Sequence, residues 1–152
     1  MRIFGHFTPL PQRFRRSRPG MKKAARSPSS GSAALPFGGQ PLAFVDLETS
    51  GATAHHDRIT EVGIVTVDPD GHVEEWSSLV NPGQRIPPFI ESLTGISTAM
   101  VADARAFEDI ADEVHRRLEG RLFIAHNVRF DYGFLKNEFG RVGLDFRPKM
   151  LC

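Results

Sequence analysis

Between Leu42 and Val80 the chain alternates apolar runs with turn signals, and this pattern constrains the fold more than any other feature. Leu42 to Leu47 reads as a buried strand. Ile59 to Val67 reads as a second, enriched in Val and Thr and apolar on both faces. Asp68-Pro69-Asp70-Gly71 is a turn signal, because each of these residues favours a tight backbone reversal. A third strand follows over His72 to Val80 and is closed by Asn81-Pro82-Gly83. Successive strands with short connections predict an antiparallel meander.

The period then changes. Phe107, Ile110, Ala111, Val114 and Leu118 recur at helical spacing, while Glu108, Asp109, Asp112, Arg116 and Arg117 take the other face. Acids in the first turn and arginines in the last complement the helix dipole, and Gly120 is the stop. Arg121 to Ala125 forms a short apolar strand. Phe130, Phe134, Leu135 and Phe139 mark a second amphipathic helix, expected to end before Gly140. A hairpin set followed by helix, strand and helix predicts an α/β mixed sheet. Its fourth strand can run parallel to the first, because a helical crossover joins them.

At the end of the first strand Asp46 and Glu48 stand one residue apart. Alternate strand residues share a face, so the two carboxylates project together and repel. A divalent cation is the usual counter-charge for such a pair. Asp131 follows the fourth strand, in the first turns of the last helix and beside its buried stripe. If strands one and four are parallel neighbours, Asp131 comes close to Asp46 and Glu48. Three acids at one sheet edge make a hard, oxygen-rich site for Mg²⁺ or Mn²⁺.

The charge of the chain is unevenly divided. Of 19 Lys and Arg residues, eight lie in residues 1–45 with no acid among them, leaving 11 against all 18 acids in the remainder. Residues 1–40, rich in Arg, Pro, Ser and Gly, read as a disordered basic tail, and 41–152 as the folded domain. Such a terminus could tether nucleic acid weakly or resemble an organelle transit peptide. Pro9, Pro11 and Pro19 argue against the amphipathic helix a transit peptide needs, which favours a solvated tail or a start at Met21. The single cysteine, Cys152, excludes an internal disulfide framework and suits a reducing compartment. No run approaches a membrane span.

FVDLETSG at Phe44 to Gly51, RITEVGIV at Arg58 to Val65, LTGI at Leu93 to Ile96 and HNVRFDYGFL at His126 to Leu135 together resemble the DEDD superfamily of 3′→5′ exonucleases. The likeness is greatest to the proofreading subunit of bacterial DNA polymerase III and its free-standing relatives, and it runs from about Leu42 to the end of the chain. It implies that 41–152 is a partial exonuclease domain, with a ribonuclease H-like sheet of strand order 3-2-1-4-5. It also implies Asp46, Glu48 and Asp131 as catalytic residues holding two Mg²⁺ or Mn²⁺ ions. Thr49 would offer its backbone to the terminal nucleotide, and Leu93 and Thr94 would line the pocket for the last base and sugar. His126, Asn127 and Phe130 would flank the substrate channel. Thr94 stands where some relatives carry histidine. The implied substrate is the 3′ end of single-stranded DNA, cut to nucleoside 5′-monophosphates in replication or repair. DNA polymerase subunits are the implied partners, and the bacterial cytoplasm, away from membranes, the implied location. An RNA-trimming exonuclease and a non-catalytic nucleic-acid or polymerase-binding module are the competing readings. Glu61 is set aside as a residue that ends in a hydrogen bond or at the sheet edge, His55 and His56 as loop residues, and His115 as a helix-boundary residue.

The family's third motif, a histidine followed five positions later by an aspartate, has no counterpart here. After Asp131 the chain holds Asp145 but no histidine. The apolar run Met150-Leu151-Cys152 begins a fifth strand, so the chain is expected to be a fragment of a longer exonuclease. Loss of a general base removes about 10²–10⁴-fold of rate. The purified chain should therefore hydrolyse a labelled DNA oligonucleotide feebly at best. Robust metal-dependent 3′→5′ digestion, abolished by Asp46→Ala, would overturn this.

Overall fold

The computed structural model describes residues 36–152. The expectation for the basic tail therefore lies outside the described residues, apart from a 3-10 turn over Pro36–Gly39. Strands β1 (Leu42–Thr49), β2 (Ile59–Val67) and β3 (Val73–Leu79) come first. Helices α1 (Pro88–Thr94), α2 (Thr98–Val101) and α3 (Phe107–Leu118) follow, then β4 (Leu122–Ile124), α4 (Val128–Arg141) and β5 (Lys149–Leu151). They build one mixed sheet of order β3-β2-β1-β4-β5. β1 pairs antiparallel with β2, and β2 with β3, as a meander must. β4 runs parallel to β1, and β5 parallel to β4. This is the predicted ribonuclease H-like order.

The hairpin turn forms as its residues dictate. Gly71 sits at φ 85° and donates its N–H to the Asp68 carbonyl at 2.9 Å, while the Asp70 carboxylate accepts from the His72 N–H at 2.9 Å. The main core joins the buried face of the sheet (Ala43, Val45, Leu47, Val62, Ile64, Phe123) to α3 and α4. Phe139 is its hub. The ring is fully buried and lies 5.4 Å from Phe107 and 5.5 Å from His115 on α3, and 5.0 Å from Phe146 in the segment leading to β5. His115 is thus half-buried at the border of the apolar stripe, as its position suggested.

Two boundaries differ from expectation by more than one residue. β1 runs on past Leu47 to Thr49, because β2 continues to pair with it as far as Ile59. α4 does not stop before Gly140 but continues to Arg141, since buried Glu138 and Phe139 anchor its last turn. The left-handed glycine is Gly143, at φ 77°. α1 and α2 were not anticipated. α1 buries no residue and so carries no apolar stripe. The pair is held by polar locks instead, with the Glu91 carboxylate accepting from the N–H and hydroxyl of Thr98 at 2.7 and 2.8 Å. Beneath them lies a small second core of Ile86, Ile96 and Val101.

Removing the aromatic hub should be costly. Phe139→Ala is expected to lower stability by about 3–5 kcal/mol, measured by urea unfolding. A loss under about 1 kcal/mol would mean that α3 and α4 are not joined through this ring.

Candidate active site

Along β1 Ala43, Val45, Leu47 and Thr49 are buried, while Phe44, Asp46 and Glu48 are half-buried. Period-two geometry thus sets Asp46 and Glu48 on one face. Because β1 extends to Thr49, both acids belong to the strand and their backbones are fixed by pairing with β2. Asp46 lies opposite Gly63 and Glu48 opposite Glu61. The register then breaks, with Thr49 facing Ile59 and Thr60 the extra residue. A bulge of this kind re-aims side chains at a strand end. Thr49 is buried and its hydroxyl donates to the Gly51 carbonyl at 2.6 Å.

Asp131 reaches the same strand end from α4. It is 5 % exposed, in the first turn of the helix that Asn127 begins. Its carboxyl is pushed up from 3.8 to about 6. Burial is the largest cause, and the charge of Asp46 adds to it. The backbone N–H groups of Asp131 and Leu47 pull the other way. The β1–β4 ladder ends at Phe44↔Ile124, so beyond that point the sheet gives β1 no partner on this side. Asp131 supplies one, and in doing so comes within electrostatic reach of Asp46.

The remaining predicted residues occupy two places. His126 and Asn127 are exposed at the β4–α4 junction. Phe130, one residue before Asp131, is half-buried with its ring 4.9 Å from that of Phe134, so part of it belongs to the core. Leu93 and Thr94 end α1. Leu93 is 64 % exposed. The Thr94 hydroxyl donates to the Ile90 carbonyl at 2.9 Å and accepts from the Ile96 N–H at 3.1 Å. Gly95 follows at φ 76°, in the left-handed turn that closes the helix. The segment before α1 is fastened to the exit of β1 by Gln84, whose amide donates to the Ser50 hydroxyl at 2.8 Å.

Carboxylate oxygens alone make up the donor set of Asp46, Glu48 and Asp131, which suits a hard cation such as Mg²⁺ or Mn²⁺. Among the described residues no three His, Cys, Asp or Glu side chains are gathered tightly enough to enclose an ion as they stand. The fit rests on Asp131 and Asp46, two carboxylates whose mutual repulsion a cation would relieve. Sequence reasoning passed over Ser50, Arg58 and Glu138. Glu138 left a readable signal, an acid set between Leu135 and Phe139 on the buried stripe of α4.

Residues 43–151 match the RNase_T exonuclease family. The chain is 39% identical over 113 residues to the 3′-5′ exonuclease DinG of Staphylococcus haemolyticus strain JCSC1435, covering 74% of this chain and 13% of that protein. It is 40% identical over 105 residues to the 3′-5′ exonuclease DinG of Bacillus subtilis strain 168, covering 68% and 11%. It therefore spans only a small part of the curated relatives' length. Among solved structures it is similar to E. coli exonuclease I in complex with a dT13 oligonucleotide, with 23% identity and a TM-score of 0.63 over 70% of this chain and 25% of that one. A product-bound exonuclease I gives 20% identity and a TM-score of 0.66 over 74% and 29%. These likenesses establish the fold.

The raised carboxyl of Asp131 has a measurable consequence. The folded chain keeps a proton that the unfolded chain releases at 3.8, so this group's contribution is fully present below 3.8 and is lost as pH rises through about 6. Asp131→Asn, which keeps a carbonyl acceptor for the Leu47 N–H, should flatten that slope. It should also raise the Tm of the EDTA-treated protein at pH 8. An unchanged slope between pH 4 and 7 would show that Asp131 does not carry buried charge.

Proposed function

Because the chain belongs to the RNase_T exonuclease family, we propose that it hydrolyses the terminal phosphodiester of single-stranded DNA from the 3′ end, releasing nucleoside 5′-monophosphates. The observation that carries this reading is the Asp131 carboxyl, buried at the end of β1 beside the Asp46 charge. The 3′-5′ exonuclease activity named for the DinG relatives supports the polarity. The oligonucleotide complex of exonuclease I makes DNA the first substrate to try.

In this reading Asp46, Glu48 and Asp131 hold two divalent ions, Mg²⁺ or Mn²⁺. Bound there, the ions would stabilise charge developing on the phosphodiester and make a nearby water more acidic. The chain's own residues supply position. Asp46 and Glu48 are held by a paired strand, and Asp131 is held by burial in the first turn of α4 beside the Leu47 N–H, so the carboxylates would meet substrate with little reorganisation. Thr49 presents its backbone at the strand end. Leu93 offers an exposed apolar contact to the last base, with Thr94 beside it. Phe130 presents the uncovered part of its ring to a neighbouring base, and His126 and Asn127 flank the strand. DNA polymerase subunits are the partners this reading would add.

The test is a single-turnover assay with protein in excess over a 5′-labelled single-stranded DNA 20-mer. A slow ladder of successively shorter labelled products is expected in Mn²⁺, none in EDTA, and none with Asp46→Ala. A matched RNA 20-mer should be cut more slowly. Faster cutting of RNA would transfer the reading to an RNA-trimming enzyme. DNA binding with no ladder at any protein concentration would leave a binding module.

A further inference from the structure

One buried polar group takes no part in the chemistry proposed above. Glu138 is 1 % exposed, within the apolar face of α4. Its carboxylate accepts from both arms of the Arg58 guanidinium, Nε to Oε1 at 2.7 Å and Nη2 to Oε2 at 3.0 Å, and forms an ion pair with Arg141, Nη1 to Oε2 at 3.1 Å. Two-armed pairing of this kind fixes direction as well as distance.

Glu138 and Asp131 are seven residues apart on α4. At 3.6 residues per turn they differ by only about 20° around the axis and stand about 10 Å apart along it. The helix therefore presents two buried acids on one line toward the sheet. Asp131 meets the Leu47 N–H near the end of β1. Glu138 meets Arg58, the residue just before β2.

Arg58 is in turn locked to the exit of β1. The Ser50 N–H donates to the Arg58 carbonyl at 2.8 Å, and the Arg58 N–H donates to the Ser50 hydroxyl at 2.9 Å. Ser50 is itself buried and is two residues beyond Glu48. The Gln84 amide donates to the same hydroxyl. α4 is thus tied to the strand end that carries Asp46 and Glu48 at two points, once through Asp131 and once through Glu138, Arg58 and Ser50. Two points on one line resist both sliding and rocking of the helix, whereas one would leave Asp131 free to pivot.

A buried ion pair is poor evidence of a stabilising role, because apolar residues of similar volume commonly serve as well or better. Direction is what an apolar pair would fail to supply. We infer that Arg58 and Glu138 are positioning residues, a clamp that sets Asp131 against Asp46 and Glu48 and thereby tunes the affinity of the site for a divalent cation. The inference rests on the carboxylate site proposed above.

The test uses the full 152-residue chain and Mn²⁺ alone, with bound ion measured by loss of the free Mn²⁺ EPR signal and folding by thermal melting in EDTA. The double variant Arg58→Met/Glu138→Met removes the pair without leaving either charge buried alone. It should melt cooperatively near the parent Tm while its Kd for Mn²⁺ rises by about 10–100-fold, the usual cost of losing a group that orients ligands. Arg58→Lys keeps the charge but loses the fork, and should weaken Mn²⁺ binding by a smaller factor. It decides the matter if the double variant does not fold. Parent-like Kd in a folded double variant, or in Arg58→Lys when the double variant does not fold, would overturn the clamp and leave the site intact, provided Asp46→Ala loses binding. Equal, weak binding by the parent and Asp46→Ala would overturn the site and the clamp together.

Discussion

The short parallel ladder between β1 and β4 is the joint on which the rest depends. It holds only the pairs Leu42↔Leu122, Ala43↔Phe123 and Phe44↔Ile124, while β1 runs on to Thr49. That overhang decides where Asp131 can meet β1. Past Phe44 one edge of β1 faces no strand, and backbone N–H groups there need partners from elsewhere. The chain leaving β4 turns at once into α4, whose first turn carries an acid, so a carboxylate arrives where an N–H is waiting. A longer β4 would have covered that edge of β1, leaving Asp131 without the Leu47 N–H and at a distance from Asp46.

Burial makes this arrangement costly. Taking an ionised carboxylate out of water is unfavourable, and placing it near a second one more so. The two N–H donors offset part of that cost, and the carboxyl still remains raised to about 6. The surroundings tolerate this because they are otherwise well satisfied. The core beneath is aromatic and aliphatic, with the Phe107, Phe139, Phe146 and Phe123 rings meeting in sequence. Offset and edge-on ring contacts add to the area they bury.

Much of this was legible in the sequence, for identifiable reasons. β2 and α3 have the bounds their periodicity predicted, Ile59–Val67 and Phe107–Leu118, because each has one well-buried face and a clear turn residue near its end. The parallel placement of β4 followed from its crossover helix, and the approach of Asp131 to Asp46 followed from that. α1 escaped notice because it buries no residue, and α2 because it is a single turn capped by the Ser97 hydroxyl, which accepts from the Met100 N–H, and periodicity reports neither. Gly140 misled because glycine ends a helix only where the backbone turns left-handed. Gly143 does so, and Gly140 lies within α4. The Arg58–Glu138 pair spans 80 residues and joins a loop to a helix, a contact no local pattern encodes.

The two buried acids of α4 differ in a way the fold alone does not require. Glu138 is neutralised by Arg58 and Arg141, the usual fate of a carboxylate taken into a core. Asp131 lies on the same helix face, almost as deeply buried, yet among the described residues it forms no ion pair and has another carboxylate for a neighbour. Arginine is available in this part of the molecule, since two of them converge on Glu138. Buried charge in proteins is either paired or used to coordinate a cation. On the reading proposed above, a chain that satisfies one acid fully and leaves the other beside like charge is arranged for a counter-charge that arrives from solution, and the satisfied acid would keep the other in place to receive it.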